Sequence, residues 1–180
     1  PLDLSQRVIV NRTLNLNSIR VIGFDMDYTL VMYHQEILEK LAFEEAVKCM
    51  VEQLGYPPEL RTLKYESHQV IRGLVFDKKL GNLLKINQFG YIKTALHGIH
   101  FLSLEEHKKI YGNETVSFSG TRYEMVHTMF SLASSSIYCQ IIDRFGILKH
   151  YDEIYNDVIR AIDSIHRNGI LKAHIVKDPG

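Results

Sequence analysis

The sequence predicts an α/β fold that opens with one strand–helix unit and carries an inserted α+β domain. Residues 18–25, "SIRVIGFD", form a short apolar run with β-branched members, and a 3.6-periodic stretch follows over 35–55. A strand followed at once by a helix is how an α/β unit begins. Further on, runs 82–87 and 91–98 flank "QFG", with Gly90 placed to take positive φ. That spacing predicts a β-hairpin with a three-residue loop. A hairpin is local and antiparallel, so it does not extend a βαβ sheet and reads as part of an insertion. The expected organisation is 1–55 for the start of the core, 56–150 for the insertion, and 151–180 for a helix and the return toward the core.

Each element has its own signal. Residues 18–25 are bounded by polar segments, as a buried strand would be. In 35–55 the apolar positions 37, 38, 41, 42, 46, 47, 50, 51 and 54 keep helical spacing, and Gly55 with Pro57 and Pro58 supplies the stop. Residues 73–77 ("GLVFD") are a short strand candidate. Residues 103–112 read as a short helix with Ser103 as N-cap and Gly112 as stop. "EMVHTMF" (124–130) is strand-like, and 131–146 reads as a helix ending at Gly146. The last clear element, 151–169, carries the stripe Ile154, Val158, Ala161, Ile162 and Ile165 ahead of Gly169. No internal repeat, low-complexity tract or flexible linker interrupts this order.

Composition narrows the class of function. With 180 residues, 46% hydrophobic and 23% charged, the chain reads as an ordinary globular protein long enough for a sizeable core. Lys+Arg and Asp+Glu are 21 each, so the basic excess of a nucleic-acid footprint is absent. Cys49 and Cys139 have no CxxC partner, which argues against a disulfide scaffold or a cysteine zinc site and favours a reducing, cytoplasmic compartment. No apolar run approaches the ~18 residues of a membrane span, and no basic-then-apolar leader opens the chain. The start at Pro1 and the ending "VKDPG" read like an excerpt from a longer protein.

The chemistry is concentrated in "VIGFDMDYTL", residues 21–30. Residues two apart on a strand share a face, so Asp25 and Asp27 are expected to leave the sheet edge on one side. Two carboxylates that close repel unless a cation intervenes, and Mg²⁺, with its preference for hard oxygen ligands, is the natural partner. One aspartate can then attack phosphorus while its neighbour gives and takes protons. Thr29 can hydrogen-bond within the turn and hold both in place. The competing reading is that the aspartates merely end a strand, since Asp favours turns. The complete pattern, an apolar run followed by D-x-D-x-T-L, favours catalysis.

"FDMDYTL" resembles the first motif of the haloacid-dehalogenase superfamily of phosphohydrolases. Its Met and Tyr are similar to those of the cytosolic purine 5′-nucleotidase group. Two further blocks resemble that group in the same order: "RGLVFDKKLGNLLKI" (72–86) with "ALHG" (95–98), and "DVIRAIDSIHRNGILK" (157–172). The resemblance implies a Rossmann-like core with an inserted cap, of which this chain holds only the first strand–helix unit and the cap. It implies Asp25 as the nucleophile that becomes an aspartyl-phosphate, and Asp27 as acid/base with its main-chain carbonyl on Mg²⁺. It places Asp163, His166 and Lys172 on a helix lining the pocket of a purine nucleoside monophosphate such as IMP or GMP. His100 enters as a substrate-binding candidate where the group continues "ALHG" with Phe-Asn and this chain has Ile99-His100. A second departure is Ile159 at an arginine position, with Arg160 beside it.

The superfamily also needs a Ser/Thr after a second core strand, a Lys, and a later acidic pair; no such set of motifs is found after residue 172. The expectation is therefore a Mg²⁺-dependent phosphomonoester hydrolase whose catalytic core is incomplete in this chain. Its rivals are a catalytically silent nucleotide-binding or regulatory relative, or an inactive fragment serving oligomer contact. Homo-oligomerisation stays open. Weaker signals carry less. Asp163 and His166, three apart, equally suit a solvated helix flank; "HGIH" (97–100) with Glu105 and His107 lacks the HExxH or Cys pattern of zinc; "SSS" (134–136) has no G-x-S-x-G around it. Tyr28 either lines the site entrance or packs under the cap.

Overall fold

A computed structural model describes residues 15–128, 130–146 and 149–177. The chain divides into two compact units, Pro1–Tyr33 and His34–Gly180, each with its own internal organisation.

The second unit is a five-stranded antiparallel sheet with five helices. Helix α1 (Gln35–Gln53) buries Ala42, Phe43, Ala46, Val47, Cys49 and Met50. Phe43, only 1% exposed, is a core anchor that the sequence stripe omitted, whereas Ile37, placed in the stripe, is 67% exposed. The helix ends at Gly55, whose φ of 72° is a left-handed conformation open to glycine at little cost.

The strands are β1 (Val75–Asp77), β2 (Asn82–Ile86), β3 (Ile92–His97), β4 (His100–Phe101) and β5 (Tyr123–Met125), in the order β4-β3-β2-β1-β5. All named pairings are antiparallel. The β2–β3 hairpin turns at Gly90, φ 82°, as its spacing predicts. In β1 and β2, opposite partners Phe76 and Leu83 face the larger core, while Val75 and Leu84 face a smaller one. The sheet is thus covered on both faces, and its strands show no apolar–polar alternation.

On the larger face lie α1, α3 (Ser131–Phe145), α4 (Tyr151–Arg167) and α5 (Ile170–Lys177), with core residues Ile137, Tyr138, Ile141, Ile154, Val158, Ala161 and Ile165. Every predicted stripe residue of α4 is buried. Helix α2 (Leu104–Ile110) starts at a full capping box: Glu106 N–H donates to Ser103 Oγ, and Ser103 N–H donates to Glu106 Oε2.

Three sequence expectations are corrected. Residues 19–26 form no strand; Val21, Ile22 and Phe24 are 84, 70 and 72% exposed. Their main chain has no neighbouring strand to pair with among the described residues, and a run without a partner cannot form a ladder. The strand expected over 124–130 instead starts at Tyr123 and stops at Met125, because those residues pair with β1; Met129 lies outside the described residues. Helix α5 follows Gly169, beyond the last element that spacing predicts. No described helix is long and apolar enough to cross a membrane.

The buried polar groups around Asp77 satisfy one another. Asp77, 0% exposed, accepts from Arg122 Nε at 2.9 Å and Nη2 at 2.7 Å, from Tyr111 OH at 3.1 Å, and from the Lys79 and Leu80 main-chain N–H groups. The chain of contacts continues through Asn82 to His97, whose Nδ1 lies 2.8 Å from Asn82 Oδ1. A buried carboxylate persists only when such partners replace its water. Asp77 is therefore a structural anchor of the β1–β2 turn.

Candidate active site

The first unit places the aspartate motif in a compact turn. Met26 O accepts from Leu30 N–H at 3.0 Å and Val31 N–H at 2.9 Å, and Tyr28 N–H donates to Val31 O at 2.8 Å. Tyr28 takes φ 59°, the one non-glycine residue with positive φ among those described. Such a conformation is uncommon for a bulky side chain and is held by its surroundings. The Tyr28 and Tyr33 rings meet edge to face, centroids 5.5 Å apart.

Asp25 and Thr29 are exposed and Asp27 is half-buried. Tyr33 OH donates to Asp27 Oδ1 at 2.7 Å. That bond to a carboxylate, helped by slight burial, raises the Tyr33 phenol above its usual range. Tyr33 escaped the sequence reading because it lies outside the motif; only an aromatic six residues past Asp27 hinted at it. The two aspartates offer hard oxygens alone, the donor type that suits Mg²⁺. Among the described residues no three His, Cys, Asp or Glu side chains converge as a metal cage.

The other candidates belong to the second unit. His100 stands on edge strand β4, largely exposed, with Nε2 3.1 Å from Asp143 Oδ1. Beside it Gly98, φ 60°, packs so closely on α3 that a Cβ would lie 2.9 Å from that of Asp143. Asp163 and His166 are exposed on α4. Asp163 sits 3.6 Å from Arg167, and His166 Nδ1 sits 2.7 Å from Ile162 O, which leaves Nε2 for other contacts. Asp163 also helps line a shallow groove of about 370 Å³ with Asn156, Ile159, Arg160, Arg167 and Asn168. Lys172 is exposed on α5 and does not line it. Asp163 and His166 thus share a helix, and Lys172 follows on the next. His100 lies apart on the sheet edge.

The helix-backed antiparallel sheet of the second unit makes this a mixed α/β protein, and the first unit carries Asp25 just before the turn and Asp27 at its start. Comparison with known proteins makes this specific: the chain matches the 5′ nucleotidase family over residues 8–180 and belongs to it. It is 30% identical over 183 residues to a 5′-nucleotidase domain-containing protein of Dictyostelium discoideum, covering 96% of this chain and 30% of the relative. It is 29% identical over 185 residues to 5′-nucleotidase domain-containing protein 2 of Homo sapiens, covering 95% of this chain and 35% of the relative. The chain therefore spans about a third of the length of these curated relatives.

Proposed function

We propose that this chain carries the nucleophile motif and cap of a Mg²⁺-dependent 5′-nucleotidase that hydrolyses purine nucleoside monophosphates such as IMP or GMP. The observation that carries this reading is the Asp25–Asp27 pair, with one residue between them at the start of a closed turn, in a member of the 5′ nucleotidase family. In it, 1–55 hold the start of a Rossmann-like haloacid-dehalogenase core, 56–150 the inserted cap, and 151–180 the pocket-lining helix and the return toward the core. The Ser/Thr, Lys and acidic pair that complete such a core would come from sequence outside residues 1–180.

Asp25 acts as the nucleophile and is transiently phosphorylated. Asp27 protonates the departing 5′ oxygen and then takes a proton from the hydrolytic water, the acid–base exchange expected of one residue serving both half-reactions. Thr29 holds the turn. His100, Asp163, His166 and Lys172 contact the nucleotide, the lysine as a point charge for phosphate and the imidazoles toward the base. Asp25 and Asp27 would hold the Mg²⁺, which would supply positive charge for the phosphoryl oxygens.

The test is phosphate release by the full-length protein. Release from IMP or GMP is expected only with Mg²⁺, and Asp25→Asn is expected to lower it on the order of a thousandfold or more, as loss of a nucleophile does. Undiminished turnover in Asp25→Asn, or with the metal chelated, would overturn the assignment. A protein that binds the nucleotide without turnover would instead point to the silent relative.

A further inference from the structure

The turn that carries the two aspartates also directs a donor at one of them. Tyr33 OH reaches Asp27 Oδ1 at 2.7 Å across six residues of chain. The main-chain bonds from Met26 O and Tyr28 N–H close the loop that brings the two together. The Tyr28 ring, set by its φ of 59°, abuts the Tyr33 ring at 73° and limits how that ring can tilt. Asp27 is half-buried, so its carboxylate is partly shielded from water that could replace the bond. Among the described residues, Oδ2 of Asp27 has no partner of this kind.

The geometry points to Tyr33 as the positioning residue of Asp27: its hydroxyl pins Oδ1, so that Oδ2 is the oxygen that carries and returns the proton. This rests on the nucleotidase reading of Asp25 and Asp27. In the first step a carboxylate oxygen of Asp25 bonds to phosphorus and the bond from phosphorus to the 5′ oxygen breaks. The electron pair leaves on the 5′ oxygen, which takes the proton from Asp27 Oδ2 and departs as the nucleoside hydroxyl. In the second step water oxygen bonds to phosphorus, its proton goes to Asp27 Oδ2, and the bond from phosphorus to Asp25 breaks. Inorganic phosphate and both original side chains result. Tyr33 neither gains nor loses a proton in either step. It fixes the plane in which Asp27 exchanges one, and alignment of that kind sets the efficiency of general acid–base catalysis.

A nucleoside 5′ oxygen leaves poorly and needs that proton, whereas p-nitrophenolate leaves readily without it. Single-turnover formation of the phosphoenzyme, followed by rapid quench in the full-length protein with Mg²⁺, separates the two. Tyr33→Phe is expected to slow the step about tenfold with IMP and less than about twofold with p-nitrophenyl phosphate, with KM unchanged. Tyr33→His, which keeps a ring donor, is expected to regain part of the IMP rate. The retained p-nitrophenyl phosphate burst reports that each variant is folded, and a melting curve checks it independently. An equal fall with both substrates in a folded variant, or no fall with IMP, overturns the role of Tyr33. A wild-type protein that turns over neither substrate overturns the nucleotidase reading itself, and the assignment of Tyr33 with it.

Discussion

Residues 19–33 and the sheet-and-helix unit that begins at His34 contrast in how their apolar groups are treated. In the first stretch Val21, Ile22, Phe24, Met26 and Met32 are all more than half exposed, and the contacts among its described residues include a turn, a tyrosine–aspartate bond and an edge-to-face tyrosine pair. In the second, Phe43, Phe76, Tyr138, Ile154 and Ile165 are at most 3% exposed, and even its buried carboxylate Asp77 is met by donors. The residues read as chemistry on the first stretch are therefore held by short-range geometry, while the second unit holds itself by burial.

Paired substitutions measure that contrast most strongly. Phe43→Ala removes a ring packed beside Tyr65 in the large core and is expected to cost roughly 3–5 kcal/mol. Phe24→Ser removes a ring that is 72% exposed and is expected to change stability by no more than about 0.5 kcal/mol. Urea melts of the 180-residue chain followed by circular dichroism compare the two. Equal losses would break the distinction, because they would place Phe24 in a core.

That distinction also explains what was legible in the sequence. Conformations set by a few neighbours could be read directly: the Gly90 loop, the Gly146 and Gly169 stops, the Ser103 cap and the α4 stripe all stand where spacing put them. What depends on a partner distant in sequence could not. "VIGF" states that it is apolar but not what it pairs with, so the strand its pattern predicts over 18–25 is one that the described residues do not form. Strand β1 buries every residue, since the sheet is covered on both sides, and no alternation marked its faces. Helix α5 was missed because Gly169 reads as an ending and only Leu171 in it is buried. At the site, the aspartate pair was visible through its spacing. Tyr33 was not, because the turn that delivers its hydroxyl depends on the left-handed Tyr28. The substrate candidates His100, Asp163, His166 and Lys172 rested on family resemblance alone.

A smaller effect tests whether local signals matter once the unit is formed. Ser103 caps α2, a helix with no buried residue of its own, so little packing compensates for a lost cap. Ser103→Ala is expected to cost about 1 kcal/mol. Amide hydrogen exchange should locate the loss in residues 104–110, leaving α4 protected. A loss spread evenly over both helices would mean that the capping box couples to the whole core.

The smallest effect expected is a slope with pH, and it comes from the interior of the second unit. His97 is half-buried between Asn82 and the Tyr151 ring, with centroids 5.7 Å apart in the latter pair. Burial lowers its folded pKa below the ordinary 6.5, opposed by the negative charge of nearby Asp143 and by a hydrogen bond to the Leu80 backbone. Below that ordinary value the unfolded chain therefore takes up protons that the folded chain resists, and stability falls as the solution is acidified from about pH 6.5. His97→Gln keeps a donor for Asn82 and removes the titration, so its melting temperature should vary less between pH 7 and pH 5 than that of the wild type. The His100–Asp143 pair is present in both proteins, so the difference between them isolates His97. An identical pH dependence would mean that the Asp143 charge offsets the burial of His97. Burial in the second unit would then act through its apolar groups and not through the cost of charging an imidazole.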